Sequence, residues 1–284
     1  MKSVRLHDKQ DLRFDEIQMA RDPGPNEARV KVAYAGICGS DVHNYRTGQW
    51  ILRKPSVAGH EFSGWVDSIG DAVTNFKIGD RVVADSRYAC GTCGQCKVGA
   101  KHLCTNLGFI GEAIDGGFAE FVTLPIRLLI KCQANISMDL LALAEPLAVA
   151  LHALNQINIC DDDPLLIVGC GSIGTLAAIA SNRLPGREIF LSDVNKDRLT
   201  LVCKLTGATP VDISLFDQFK FNTKKPIRHV LDTTGNVGVI SNIISKLNGC
   251  NLGLVGIGCG NLELDPVHLV EREISLIGCH AFCD

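Results

Sequence analysis

The chain has 284 residues, which exceeds the usual size of a single domain, so we expect two domains. A formal net charge of −3 gives no support for binding to nucleic acid or to a membrane surface. The first eight residues carry charges where a signal peptide needs an apolar run, and no apolar tract is long enough to span a bilayer. We therefore expect a cytoplasmic protein.

The first half of the chain, to about residue 146, has the pattern of a β-rich domain. Short runs of alternating apolar residues, such as 29–35, 64–70 and 81–84, lie between turns rich in glycine, proline, asparagine and aspartate. Many short strands without helical periodicity predict a compact, irregular barrel.

A candidate metal site lies in this half. Cys38 and the adjacent His60 and Glu61 offer a thiolate, an imidazole and a carboxylate to one metal ion. This mixed set suits zinc, and three protein ligands leave the fourth position open for water or substrate, so the ion can act as a Lewis acid. Taken alone, a histidine beside a glutamate is more often part of a polar turn, and it is the remaining motifs that favour the metal.

Four of the 13 cysteines form a second candidate metal site. Cys90, Cys93, Cys96 and Cys104 are spaced C-x2-C-x2-C-x7-C. In a large chain without an export signal, cysteines are metal ligands or buried thiols more often than disulfides. Four thiolates close a tetrahedral zinc site completely, which makes the site structural. An iron–sulfur cluster is the alternative, but such runs usually belong to redox carriers, and we favour zinc.

Glu145 stands directly before Pro146, at the start of an apolar helix predicted for 144–154. From there its carboxylate could reach back to a metal ion. Without the other motifs, the simpler interpretation is that Glu145 complements the positive N-terminus of the helix.

The second half begins with a strand, a glycine turn and a helix. The apolar run 165–168 predicts a buried parallel strand, and Gly-Cys-Gly-Ser-Ile-Gly at 169–174 follows it and opens a helix from Thr175 to Leu184. In this context the glycines allow a tight turn and a close approach of the backbone to a pyrophosphate at the helix N-terminus. The predicted dinucleotide-binding residues are Gly169, Gly171, Ser172, Ile173 and Gly174.

Asp193 follows the next predicted strand, 188–192, about twenty residues after the last glycine. A carboxylate there accepts hydrogen bonds from the ribose hydroxyls of adenosine and repels a 2′-phosphate, which predicts NAD rather than NADP. Arg198 is a further cofactor-binding candidate. Arg198 and Lys196 could weaken the preference for NAD, although the start of a solvated helix is the simpler interpretation of both.

The same alternation of strands and helices continues to the end of the chain. It predicts a doubly wound parallel sheet, and hence an α/β cofactor domain. The further predicted strands are 208–213, 227–232, 252–256 and 274–278, and the further predicted helix is 237–247. We place the two domains at 1–146 and 147–284.

Together these residues resemble the zinc-containing medium-chain dehydrogenase/reductase (alcohol dehydrogenase) family. Residues 59–73 follow that family's pattern Gly-His-Glu-x2-Gly-x5-Gly-x2-Val, and 38–43, Cys-Gly-Ser-Asp-Val-His, follow the segment that bears the first zinc ligand. Residues 90–104 follow the structural-zinc lobe. The resemblance covers essentially the whole chain and implies a GroES-like catalytic domain followed by a Rossmann domain.

Within the family the chain is most similar to the sorbitol (polyol) dehydrogenase branch. This resemblance implies a catalytic zinc held by Cys38, His60 and Glu61, with Glu145 bound directly or through water. An oxygen-rich ligand set suits a chelating diol better than a two-thiolate site does. The implied reaction is the zinc- and NAD-dependent oxidation of a secondary hydroxyl of a polyol or sugar derivative to a ketone.

The resemblance also implies roles for Ser40 and His43, which would carry the proton of the substrate hydroxyl through the cofactor ribose to solvent. It further implies a homodimer or a homotetramer. Family members continue beyond the equivalent of Asp284 with a segment that completes both domains, so we expect a C-terminally truncated chain whose missing substrate contacts cannot be assigned.

Two alternatives to a polyol dehydrogenase stay open. Threonine-, butanediol- and sugar-acid-type dehydrogenases share the same motifs. A truncated, catalytically inactive relative that still binds zinc or nucleotide would share them too.

Overall fold

The computed structural model describes residues 1–160, 162–183, 186–213, 223 and 225–283. These residues form two compact units, Met1–Glu145 and Pro146–Phe282, and the first unit also includes Cys283.

The first unit is dominated by short antiparallel strands. Five of them form a sheet in the order β10-β6-β5-β3-β9, three form the sheet β2-β1-β4, and two form the pair β7-β8. The predicted β-rich first half is confirmed. Its elements are β1 (Lys2–Asp8), β2 (Asp11–Glu16), β3 (Glu27–Gly36), α1 (Gly39–Thr47), β4 (Ser56–Val57), β5 (Glu61–Ile69), β6 (Arg81–Ala84), β7 (Arg87–Tyr88), α2 (Gly94–Lys97), a 3-10 turn (Lys101–Leu103), β8 (Gly108–Phe109), β9 (Phe121–Pro125), a second 3-10 turn (Ile126–Leu128), β10 (Leu129–Lys131) and α3 (Met138–Leu141).

The core of the first unit follows from the alternation of side chains along its strands. Ala28 and Val30 in β3 are fully buried, as are Val122 and Leu124 in β9. These side chains pack with Phe62 from β5 in one apolar cluster against the five-stranded sheet. The sheet that carries the candidate metal ligands therefore rests on a packed core.

The second unit is built on a parallel sheet of six strands in the order β13-β12-β11-β14-β15-β16. This is the predicted doubly wound α/β sheet of Rossmann type, and the fold prediction is confirmed. The elements from the end of the first unit onward are α4 (Ala144–Gln156), β11 (Leu165–Val168), α5 (Ser172–Ser181), β12 (Ile189–Ser192), α6 (Lys196–Thr206), β13 (Thr209–Pro210), β14 (His229–Asp232), α7 (Val237–Lys246), β15 (Asn251–Leu254), α8 (Pro266–Glu271) and β16 (Ser275–Gly278).

Both faces of this sheet are covered, which explains why its strands are continuous apolar runs. Leu165 and Ile167 pack on one face with residues of α4, α5 and α6. Leu166 and Val168 pack on the other face with residues of α7. Alternate residues of one strand thus fill two separate apolar layers, as a parallel sheet between helices requires.

The strand predicted for 208–213 is much shorter than expected. Only Thr209–Pro210 pair with β12, at the edge of the sheet. Proline has no N–H to donate, so Pro210 is tolerated because β13 is an edge strand.

The predicted end of the helix at Leu184 lies outside the described residues. Among the described helices, none combines the length and the apolar character that crossing a membrane requires.

Candidate active site

The pairing of β3 with β5 brings the predicted catalytic ligands together. Gly36 at the end of β3 lies opposite Glu61 at the start of β5. Cys38 follows β3 by two residues and caps the N-terminus of α1, and His60 immediately precedes β5. As a result, one ligand atom from each of Cys38, His60 and Glu61 lies within 4.8 Å of the others.

Asp41 supports this group and had no role in the sequence-based prediction. Its Oδ2 accepts a hydrogen bond of 2.9 Å from the backbone N–H of Cys38, and its Oδ1 lies 4.0 Å from Nδ1 of His60. A carboxylate three residues after a helix N-cap is the usual partner of the N-cap N–H, so the spacing Cys-Gly-Ser-Asp could have revealed this contact.

Glu145 lies at the start of α4 and is held by a residue that the sequence did not indicate. The hydroxyl of Ser86 donates a hydrogen bond of 2.6 Å to Oε1 of Glu145. Ser86 is fully buried and stands between β6 and β7. Glu145 is not part of the compact group formed by Cys38, His60 and Glu61 among the described residues.

The electrostatics of the group indicate an excess of negative charge. Burial raises the pKa of Asp41, Glu61 and Glu145 above their ordinary values, and the charge of Glu145 adds to the effect at Glu61. Burial alone would lower the pKa of His60, but the Cys38 sulfur and the carboxylates of Glu145 and Asp41 outweigh it and raise that pKa to about 10. A divalent cation would neutralise the same charges.

The group fits a zinc ion. Its thiolate, imidazole and carboxylate are all ligands that zinc accepts, and three of them leave one position of a tetrahedron for another ligand. His60 and Glu61 are buried, so their charges are shielded from water and need a partner.

Ser40 and His43 occupy the first turns of α1, three residues apart, so they lie on the same side of the helix. Nε2 of His43 is 2.8 Å from the side-chain oxygen of Gln49, and its ring lies 4.7 Å from the ring of Trp50, measured between centroids. Both predicted relay residues thus lie in α1, the helix whose N-cap is Cys38.

The four cysteines of the second motif also converge. One sulfur from each of Cys90, Cys93, Cys96 and Cys104 lies within 4.8 Å of the others. The Sγ atoms of Cys90 and Cys96 are 4.0 Å apart, and those of Cys93 and Cys104 are 3.9 Å apart. Thiolates 2.3 Å from a tetrahedral zinc ion lie about 3.8 Å from each other, so the cluster already has the size of a zinc site.

The pKa values of these thiols are shifted in different directions by their surroundings. Backbone N–H groups of Thr92 and Cys93 lower the pKa of Cys90 to about 7, and those of Cys96 and Thr105 lower the pKa of Cys93 to about 5. Burial and the neighbouring sulfurs raise the pKa of Cys96 to about 12. A bound zinc ion would favour the thiolate form of all four cysteines.

The glycine turn of the second unit has the features of a dinucleotide loop. Gly169 has a positive φ of 99° at the end of β11, and a Cβ atom there would lie 2.5 Å from Oγ1 of Thr233. Gly171, by contrast, has nothing within 4 Å of the position of a Cβ atom. Such an open position would allow a pyrophosphate to approach the backbone, next to Ser172, Ile173 and Gly174 in the first turn of α5.

Asp193 follows β12 and faces this turn. Its Oδ2 accepts a hydrogen bond of 2.7 Å from the N–H of Cys170, and its Oδ1 accepts one of 2.7 Å from the N–H of Asn195. Nη1 of Arg198 lies 3.7 Å from the same Oδ2. Lys196 lies 4.0 Å from Asp212 instead. Of these two basic residues, Arg198 is therefore the one that lies beside the carboxylate of Asp193.

The first unit is β-rich and carries an open set of zinc-type ligands, and the second has a parallel sheet with a dinucleotide loop. Together these features define a zinc- and dinucleotide-dependent oxidoreductase.

Comparison with known proteins agrees with this class. Residues 24–134 match the alcohol dehydrogenase GroES-like domain family. An L-threonine 3-dehydrogenase from Rhizobium etli (strain CIAT 652) is 32% identical over 265 residues, which cover 90% of this chain and 76% of that protein.

Solved structures extend the likeness to the whole fold. A putative zinc-binding dehydrogenase from Sinorhizobium meliloti 1021, bound to NADP, superposes with a TM-score of 0.91 at 28% identity, covering 99% of this chain and 84% of the other. Galactitol-1-phosphate dehydrogenase from Escherichia coli gives a TM-score of 0.88 at 28% identity, with the same coverage. The chain belongs to the zinc-dependent medium-chain alcohol dehydrogenase family.

Proposed function

We propose that the chain oxidises a secondary hydroxyl of a polyol or a related sugar derivative to a ketone, with NAD⁺ as the acceptor. The observation that carries the proposal is the convergence of Cys38, His60 and Glu61, whose ligand atoms lie within 4.8 Å of one another. When bound, zinc supplies a Lewis acid that acidifies an alcohol hydroxyl, and NAD⁺ supplies the hydride acceptor.

Metal binding and proton transfer are carried out by different residues. Cys38, His60 and Glu61 hold the metal ion, and Glu145 stands beside them as a ligand that binds directly or through water. Ser40 and His43 accept the proton that the substrate hydroxyl loses and pass it towards solvent.

In the cofactor unit, the turn at Gly169, Gly171 and Gly174 binds the pyrophosphate, and Asp193 binds the ribose of adenosine. The four cysteines from Cys90 to Cys104 hold a second, structural zinc ion, which stabilises a loop that has little apolar core of its own.

The ligand set is the reason to prefer a polyol. It contains one sulfur, and its carboxylate is a harder donor than a second thiolate would be. Such a site favours oxygen ligands, and a polyol offers two adjacent oxygens. The resemblance to the polyol dehydrogenase branch points the same way.

L-Threonine is the second candidate substrate, because the relative from Rhizobium etli is named L-threonine 3-dehydrogenase. The hydroxyl at carbon 3 of threonine is secondary, as are the inner hydroxyls of a polyol. The two candidates therefore require the same chemistry and differ in the groups that flank the reacting carbon.

NADH formation by the purified chain with sorbitol, xylitol, 2,3-butanediol, threonine and ethanol tests the proposal. We expect turnover on the polyols that a zinc chelator abolishes and added zinc restores. Turnover on threonine alone would select the second candidate. Zinc-loaded, folded protein that turns over none of these substrates would contradict the proposal and favour an inactive relative that keeps the binding sites.

A further inference from the structure

The contact between Ser86 and Glu145 concerns the metal site but belongs to neither metal-binding motif. The Ser86 hydroxyl is fully buried and lies 2.6 Å from Oε1 of Glu145. A hydroxyl has one proton to donate and an ionised carboxylate can only accept, so this proton is committed to Oε1. Such charge-assisted bonds are shorter and stronger than neutral ones.

The backbone around Ser86 is fixed on both sides. Its carbonyl accepts a hydrogen bond of 2.9 Å from the N–H of Ile110, and the N–H of Asp85 donates one of 2.7 Å to the carbonyl of Leu128. The buried guanidinium of Arg87 binds both carboxylate oxygens of Asp85, at 2.9 and 2.8 Å. The backbone that carries the Ser86 hydroxyl is therefore held in place independently of Glu145.

We propose that Ser86 is a positioning residue that holds Glu145 outside the inner set of zinc ligands. The inference rests on the proposed function, in which Cys38, His60 and Glu61 bind the catalytic metal. Glu145 is bound to Ser86 through Oε1 and, among the residues that the structure describes, is not part of the group that Cys38, His60 and Glu61 form within 4.8 Å, so Glu145 acts through a water or substrate oxygen. The fourth position of the ion is thereby kept open for the substrate.

The inference predicts a specific effect of removing the hydroxyl. In Ser86→Ala, the carboxylate of Glu145 is released and binds the metal ion directly, which closes the fourth position. We expect KM for the alcohol to rise about tenfold, the lower end of the usual effect of second-shell changes. We also expect the visible d–d bands of the cobalt-substituted protein to shift, because the ligands of the ion change.

Cobalt spectra of the purified chain and its variants test this directly and do not depend on turnover. The matched control is Ser63→Ala, since Ser63 is also fully buried and its hydroxyl donates to the carbonyl of Met138 at 2.5 Å. A double-mutant cycle with Glu145→Gln shows whether the shift acts through Glu145. Cobalt in the four-cysteine cluster contributes equally to every spectrum and cancels in the differences.

We expect a shift in Ser86→Ala, no shift in Ser63→Ala, and no further shift when Ser86→Ala is added to Glu145→Gln. An unchanged spectrum and KM in Ser86→Ala, or a shift that persists in the Glu145→Gln background, would overturn the role of Ser86. If His60→Ala left the cobalt content of the chain unchanged, the proposed catalytic metal site itself would be wrong, and the inference would fail with it.

Discussion

Gly36 leaves the space that the carboxylate of Glu61 occupies. A Cβ atom at residue 36 would overlap Oε2 of Glu61, the residue directly opposite it in the pairing of β3 with β5. A side chain larger than hydrogen would therefore displace a candidate metal ligand, since the three atoms nearest to that Cβ position all belong to Glu61. The glycine acts here through the room it leaves, because its φ is not positive.

Gly36→Ala should weaken the catalytic metal site and spare the structural one. We expect the affinity for catalytic zinc to fall about 10- to 100-fold, the usual effect of disturbing the support of a ligand. Competition with a chromophoric chelator measures this affinity. Gly39→Ala is the matched control, since nothing lies within 4 Å of its Cβ position. Equal affinities in the two variants would contradict the assignment of Glu61 as a ligand.

Asp193→Ser should change the preference for the cofactor. The variant loses a carboxylate that favours ribose hydroxyls and repels a 2′-phosphate, while Arg198 stays nearby. Hydrogen bonds to a charged group contribute about 1.5–3 kcal/mol, so kcat/KM for NAD⁺ relative to NADP⁺ should fall about 10- to 100-fold. Asp197→Ser, which changes an exposed carboxylate in the first turn of α6, is the control. An unchanged ratio in Asp193→Ser would refute the role of Asp193.

Cys96→Ser should remove the structural zinc. Three thiolates and a hydroxyl bind zinc more weakly than four thiolates, and the loop from 90 to 104 depends on the metal for its fold. We expect the zinc content measured by mass spectrometry to fall by about one ion per chain and the thermal midpoint to drop. Cys160→Ser, an exposed cysteine outside both ligand groups, should change neither quantity. A full zinc content in Cys96→Ser would speak against a four-cysteine site.

Asp163 should stabilise the second unit in a manner that depends on pH. Its carboxylate accepts from the N–H of Cys160 at 3.1 Å and lies 3.2 Å from Nε2 of His229 and 3.3 Å from Nζ of Lys225. Burial opposes ionisation, but these three partners outweigh it and lower the pKa of Asp163. Because the folded pKa lies below the unfolded one, the stabilisation is complete above about pH 4 and is lost as the pH falls through the folded pKa.

Urea unfolding of Asp163→Asn measures this contribution. We expect a loss of about 1–3 kcal/mol at pH 7 that shrinks as the pH falls through the folded pKa of Asp163. Asp162→Asn is the control, since Asp162 is exposed and its ion pair with Lys225 should contribute less than about 1 kcal/mol. A destabilisation by Asp163→Asn of equal size at pH 7 and below that pKa would show that ionisation of the carboxylate is not its cause.

The sequence predicted the fold and the ligand types because both depend on local patterns. The apolar runs of β11 and β12 and the turn from Gly169 to Gly174 carry their own signal. Cys38, His60 and Glu61 could be proposed from ligand chemistry and motif resemblance. The metal site formed by the cysteines from 90 to 104 could be proposed from their spacing alone.

The supporting contacts could not be predicted, because they depend on strand register and on distant parts of the chain. Gly36 faces Glu61 only through the pairing of β3 with β5. Ser86 meets Glu145 across 59 positions of sequence. β13 pairs with β12 through Thr209 and Pro210 alone, a length that local apolar character did not reveal.

The most direct test of the central claim is the zinc content and the NADH formation of His60→Ala beside those of the unaltered chain. We expect the zinc content to fall by about one ion per chain, leaving the structural ion, and turnover on polyols to be lost. Retention of both the full zinc content and turnover in His60→Ala would contradict the assignment of Cys38, His60 and Glu61 as the catalytic metal site.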